Sequence, residues 1–134
     1  MVSQQNVELA KRGIDVFNQR DLDVYDELLT LDFDWFPAMP GALGGDSYRG
    51  REGVERFLEA LDDTWEEMRL VGEEFRDLGN RVLLLARLEG RGKSSGVPVT
   101  QAQSIVIDFR GGRIARIRGY LDHGEALRAA GLEG

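Results

Sequence analysis

The spacing of apolar residues changes along the chain, and this change constrains the fold more than any other feature. In the first half, apolar side chains recur every three or four positions, as in Val7, Ala10, Ile14 and Phe17, which predicts helices with one buried stripe. From about residue 69 to residue 121 they alternate with polar side chains or form short runs, which predicts strands. Helices followed by an antiparallel sheet indicate an α+β domain.

Turn-forming and capping residues divide the chain into elements. We expect a first helix from Ser3, a short helix after Asp21, a strand at 32–36 and a loop at 37–50 that is long enough to be a pocket flap. A helix at 51–68 follows, its buried stripe continuing through Trp65 and Met68. Four strands in a meander come next, at 69–79, 81–92, 99–109 and 113–121, before a helix at 122–130. Residues 1–134 are expected to form a single domain.

The composition excludes several classes of function. A net charge of −7 argues against non-specific nucleic-acid binding, which needs a basic surface. The chain has neither an apolar run of about 20 residues nor the apolar core of a secretory signal at its start. With no cysteine and one histidine, disulfides and thiol catalysis are excluded and a metal site is disfavoured. We expect a cytoplasmic protein with no cofactor, metal, nucleic-acid partner or membrane partner.

Three stretches and the order of elements resemble the SnoaL-like branch of the nuclear transport factor 2 (NTF2)-like superfamily. The stretches are "DFDWFP" (32–37), "YRGREGVERFLEAL" (48–61) and "GGRIARIRGYLDHGEALRAAGL" (111–132). The resemblance implies a cone-shaped barrel with a curved antiparallel sheet, N-terminal helices packed on it and a short C-terminal helix. It also implies a homodimer formed through the outer sheet face. Relatives include ketosteroid isomerases, polyketide cyclases, limonene epoxide hydrolases and non-catalytic binding or transport proteins, so the fold does not fix the function.

The catalytic relatives place a carboxylate in a dry, apolar cavity, where it can move a proton. Their last-strand pattern, laid on "IRGYLD" (117–122), puts Gly119 where the cavity acid of the cyclases and hydrolases stands, and Asp122 at a second aspartate. Asp122 with Glu125 also forms a capping box, which predicts a helix start instead of a catalytic group. The isomerase base position falls at Trp35 or Phe36, with Asp34 beside it. Asp34 and Asp122 are therefore the candidate catalytic residues, and whether the protein is an enzyme stays open.

Alternation predicts which side chains face a cavity between sheet and helices. On the last strand, Ala115, Ile117, Gly119 and Leu121 are expected to face inward. Gln103 and Arg87 are polar residues within otherwise apolar strands, so each is a candidate to contact a ligand. The predicted pocket residues are Phe17, Trp35, Tyr48, Trp65, Arg87, Gln103, Ile117 and Gly119.

Three functions follow from these observations. The first is a SnoaL-like protein that binds a small hydrophobic molecule in the cavity. The second is an isomerase, cyclase or hydrolase that uses Asp34 or Asp122 as acid or base, with Tyr48 or Gln103 as hydrogen-bond donor. The third is a dimeric interaction module with a filled core and no ligand.

Overall fold

The computed structural model describes residues 2–37 and 48–131. The larger part of the predicted flap, residues 38–47, lies outside the described residues. The helical elements are α1 (Val2–Gln19), a 3-10 turn (Leu22–Val24), α2 (Tyr25–Leu28), α3 (Gly50–Thr64) and α4 (His123–Ala129). The strands are β1 (Leu29–Phe36), β2 (Tyr48–Arg49), β3 (Trp65–Asp77), β4 (Arg81–Gly92), β5 (Pro98–Arg110) and β6 (Arg113–Tyr120).

The six strands form one curved, open sheet in the order β2-β1-β6-β5-β4-β3. Strands β3 to β6 make the predicted antiparallel meander, with tight turns between them. The predicted α+β cone is confirmed, with one addition. Strand β1 pairs in parallel with β6, so that the sheet is mixed. Two elements far apart in sequence thereby lie side by side within the sheet.

Helices pack against both faces of the sheet, to different extents. Its concave inner face meets α1, α2 and α3 and forms the main core, which includes Leu28, Phe33, Leu61 and Leu84. On the outer face α4 packs against Leu83 and Val106 in a second, smaller cluster. Strand β4 is therefore apolar on both faces in its middle, since successive side chains point to opposite sides.

The boundary between α3 and β3 corrects the sequence-based prediction. The helix ends at Thr64, and both Trp65 and Met68 belong to β3. Met68 still reaches the core because the strand is irregular between Glu66 and Arg69, where Glu67 takes a φ of 54°. Met68, which the sequence placed on the buried stripe of the helix, is thus buried as part of a bulged strand.

Candidate functional site

The cavity between the inner sheet face and the helices is the candidate site. Its walls come from α1, α2, α3 and all strands except β2, and its volume for water-sized molecules is about 90 Å³. This is several times the 10–15 Å³ or so that a single water requires. The described lining is apolar except for three side chains that carry a polar atom, namely Tyr25, Trp35 and Gln103.

Strand register arranges the sheet side of the cavity in layers. Because β6 lies between β1 and β5, each of its inward residues has a neighbour on one or both sides. From one end to the other, the layers are Ile114 with Leu29, Ile117 with Trp35 and Ile107, and Gly119 with Ile105. Gln103 lies two residues beyond Ile105 on the same face of β5, past the end of β1.

Aromatic rings close the helical side at the level of Trp35. The centroid of the Trp35 ring system is 4.3 Å from that of Phe57 and 5.8 Å from that of Phe17. Phe33, on the same strand, is 6.4 Å away and nearly fully buried. These contacts fix one wall of the cavity, since interlocked rings have few alternative arrangements.

Tyr25 is the site residue that the sequence reasoning did not select. It begins α2, is 6% exposed and lines the cavity. Burial raises the pKa of its phenol to about 12, although the positive charge of Arg20 acts in the opposite direction. The sequence indicated only that Tyr25 lies on the inward stripe of a short helix, a position typical of any core aromatic.

Gln103 lines the cavity and makes one side-chain hydrogen bond. Its Nε2 donates to Oε1 of Gln101, at 3.3 Å, along the same face of β5. The neighbouring amide therefore partly satisfies Gln103, as a half-buried amide requires.

Five of the eight predicted pocket residues line the cavity, namely Phe17, Trp35, Gln103, Ile117 and Gly119. For the last strand, the predicted inward face is wrong at both ends of the strand. Ile114 is buried in place of Ala115, and Leu121 is 54% exposed. The pairing of β5 with β6 is irregular between Asp108 and Phe109, which shifts the alternation near Ile114.

Tyr48 and Trp65 lie in the core beside the cavity and do not line its described wall. Tyr48 is 5% exposed and its ring packs against Phe57, with centroids 5.1 Å apart. Trp65 is half-buried at the start of β3 and packs against the edge of the main core. Its predicted inward position came from extending the α3 stripe too far.

Arg87 lies on the outer face of β4, opposite the inward Ala86 and Leu88. Its guanidinium donates to Glu89 and Glu73, and these two carboxylates raise its pKa further above the usual value. Arg87 therefore does not line the described cavity. The residues before Arg87 are apolar on both faces of β4. They therefore show no alternation from which the orientation of the arginine could be predicted.

Neither candidate catalytic aspartate lines the described part of the cavity. Asp34 lies on the face of β1 opposite Phe33 and Trp35, where its carboxylate accepts a hydrogen bond from Nε of Arg49 at 2.9 Å. Asp122 caps α4, its side chain accepting from the backbone N–H of Glu125 at 3.2 Å. His123 is exposed in the first turn of α4, with Nδ1 2.8 Å from Oγ of the buried Ser104.

The described lining therefore contains no carboxylate, histidine or lysine. Across residues 2–37 and 48–131, no three His, Cys, Asp or Glu side chains group so that they could hold a metal ion. None of the described helices is both long and apolar enough to span a membrane. The arrangement provides an apolar enclosure with a few hydrogen-bonding groups.

Comparison with known structures shows the same fold in several proteins. An NTF2-like protein from Burkholderia xenovorans LB400 is 25% identical, with a TM-score of 0.76 and coverage of 97% of this chain and 98% of that one. TerC, co-crystallised with polyporic acid, is 23% identical, with a TM-score of 0.78 and coverage of 95% and 98%. A putative SnoaL-like polyketide cyclase from Jannaschia sp. CCS1 is 22% identical, with a TM-score of 0.75 and coverage of 89% and 86%.

No protein with a curated description matches this chain in sequence. The sequence model of the SnoaL-like domain, in contrast, matches residues 10–117, which span α1 to β6. The matched region contains the described walls of the cavity almost completely. The chain belongs to the SnoaL-like domain family, within the NTF2-like superfamily.

Proposed function

We propose that the protein binds a small, neutral, hydrophobic molecule in the cavity between the sheet and the helices. The observation that carries this proposal is the lining, in which apolar side chains from β1, β3, β4, β5 and β6 face those from the three helices. An apolar enclosure with a few placed polar groups is the usual form of a small-molecule site. The SnoaL-like family includes ligand-binding, cyclase and isomerase-type roles, and this lining favours ligand binding.

The expected affinity follows from the area that a ligand would bury. A bicyclic molecule about the size of an aromatic side chain buries ~200 Å². At ~25 cal/mol per Å² complete burial contributes ~5 kcal/mol, which sets an upper limit on affinity at a Kd on the order of 0.1–1 mM before any polar contact. A cavity of about 90 Å³ encloses only part of such a molecule, and association has its own cost, so the probes are used at millimolar concentration.

Acid–base catalysis has less support. Asp34 is paired with Arg49 on the outer face of β1, and Asp122 is engaged as a helix cap. A proton carrier must lie within hydrogen-bonding reach of the reacting atom. Neither carboxylate is presented to a molecule bound in the described cavity.

The test is calorimetric titration of the native protein and two leucine variants with 1-tetralone and with tetralin. Gly119→Leu places four carbons in the cavity, since Gly119 faces inward and does not need a positive φ. We expect it to weaken the binding of both probes at least tenfold. Arg116→Leu is the matched control, because it adds the same side chain to an exposed position on the same strand.

The proposal fails if neither probe binds the native protein at millimolar concentration. It also fails if Gly119→Leu, shown to be folded by circular dichroism, binds as well as the native protein. Equal loss of affinity in both leucine variants would indicate a surface effect and would likewise contradict binding in the cavity.

We also propose that the protein is a cytoplasmic homodimer. A dimer formed through the outer sheet face is what the NTF2-like relationship implies, and a cysteine-free sequence suits a reducing compartment. Sedimentation equilibrium at micromolar concentration should give twice the monomer mass of 15.0 kDa. A monomer at that concentration would contradict the proposed dimer.

A further inference from the structure

We propose that Tyr25 selects the ligand by donating a hydrogen bond to a carbonyl oxygen, so that the ligand is a neutral apolar ketone or a related carbonyl compound. This inference rests on the proposed function and specifies the ligand class of the same cavity. It assigns Tyr25 a role in binding specificity.

The first support is an unused donor in a buried position. Tyr25 is 6% exposed, yet its hydroxyl makes no hydrogen bond with the described residues. An unpaired polar group inside a protein is costly, and most such groups find a partner. A missing partner at a cavity wall is therefore a position that a ligand can fill.

The second support is that a ligand atom can reach the hydroxyl of Tyr25. The side-chain polar atoms that are both fully buried and unpaired in the described part of the chain are Thr30 Oγ1 and Arg118 Nε. The hydroxyl of Tyr25 is not among them, although it lacks a partner. Part of the hydroxyl surface is therefore accessible to a water-sized group, and the residue itself lines the cavity.

The third support is the surrounding charge. The nearby cation, Arg20, already donates to Asp62 and to the backbone carbonyls of Phe17 and Met68. It does not serve as a counter-ion for a ligand carboxylate, and the described lining itself carries no cation. Burying an unpaired anion is strongly unfavourable. A neutral acceptor such as a ketone fits the phenol, which carries its proton at neutral pH and can donate it to a hydrogen bond.

The experiment compares the ratio of the Kd for tetralin to the Kd for 1-tetralone in the native protein, Tyr25→Phe and Tyr120→Phe. The two probes share one carbon skeleton, and comparing the ratio between proteins cancels their different solubility in water. We expect Tyr25→Phe to lower this ratio about 2- to 10-fold, the equivalent of one net hydrogen bond. Tyr120 packs against α4 on the outer sheet face, so Tyr120→Phe should leave the ratio unchanged.

An unchanged ratio in Tyr25→Phe, with both probes still binding, overturns the inference and leaves the proposed function standing. Failure of both probes to bind the native protein overturns the proposed function and the inference with it. If Tyr25→Phe does not fold, the ¹³Cζ resonance of Tyr25 in the native protein replaces it, assigned by elimination with Tyr48→Phe and Tyr120→Phe. That resonance should shift more with 1-tetralone than with tetralin, and equal shifts contradict the inference.

Discussion

The burial of Tyr25 should make the protein lose stability at alkaline pH in a way that Tyr25→Phe removes. The folded protein holds the pKa of this phenol at about 12, against the usual 10.0 in the unfolded chain. Between these values the unfolded chain releases the proton while the native protein keeps it. The unfolded state is therefore favoured as the pH rises, because it binds fewer protons.

The magnitude follows from the difference in pKa. Each unit is worth about 1.4 kcal/mol, so the contribution of Tyr25 to the free energy of unfolding is complete below pH 10. It falls by about 1.4 kcal/mol at pH 11 and by close to 3 kcal/mol well above pH 12. Phenylalanine has no proton to lose, so Tyr25→Phe lacks this decline.

The assay is urea denaturation of the native protein and Tyr25→Phe at pH 8 and pH 11, followed by circular dichroism. Other titrating groups affect both proteins and cancel in the difference between them. From pH 8 to pH 11, we expect the variant to gain about 1.4 kcal/mol relative to the native protein. A difference that stays constant between the two pH values would show that the phenol of Tyr25 is solvated as in the unfolded chain, and would refute its burial.

Three further outcomes follow from individual contacts, each measured by urea denaturation at neutral pH. Asp122→Ala removes the cap of α4 and should lower the free energy of unfolding by about 1 kcal/mol, whereas no loss would mean that the cap is not formed. Leu84→Ala enlarges the cavity at a side chain that is 1% exposed, and should cost about 2–5 kcal/mol; a cost under 1 kcal/mol would contradict its packing. Asp34→Asn removes the charge of an ion pair in which the arginine side chain is 76% exposed and the aspartate side chain 15% exposed. Because asparagine can still accept the hydrogen bond from Arg49, the substitution should cost about 1 kcal/mol and leave probe affinity unchanged. If Asp34→Asn instead loses affinity for the probes, Asp34 contributes to the binding site and its placement outside the cavity is contradicted.

Local sequence patterns predicted the parts of the fold that depend on alternation and capping. The period of two in 101–109 puts Gln103, Ile105 and Ile107 on one face of the strand, and in the structure these three line the cavity together. Asp122 caps α4, as the capping box indicated. These features depend on neighbours within a few residues, which a sequence displays directly.

The features that were missed depend on contacts between distant residues or on the backbone. The parallel pairing of β1 with β6 joins Leu29 to Ile114, and no local pattern encodes it. The end of α3 was hidden because Trp65 and Met68 continue a helical spacing, while the bulge at Glu67 is a backbone feature. The role proposed for Tyr25 depends on what surrounds its hydroxyl, which only the assembled cavity shows.

The most direct test of ligand binding in the cavity is the position of a bound probe in the native protein. Nuclear Overhauser contacts between tetralin and assigned methyl groups report this position. We predict contacts to the methyl groups of Ile105, Ile107 and Ile117, which face the cavity from β5 and β6. Contacts only to Leu31 and Leu121, which are 93% and 54% exposed, would place the probe on the surface and contradict the account.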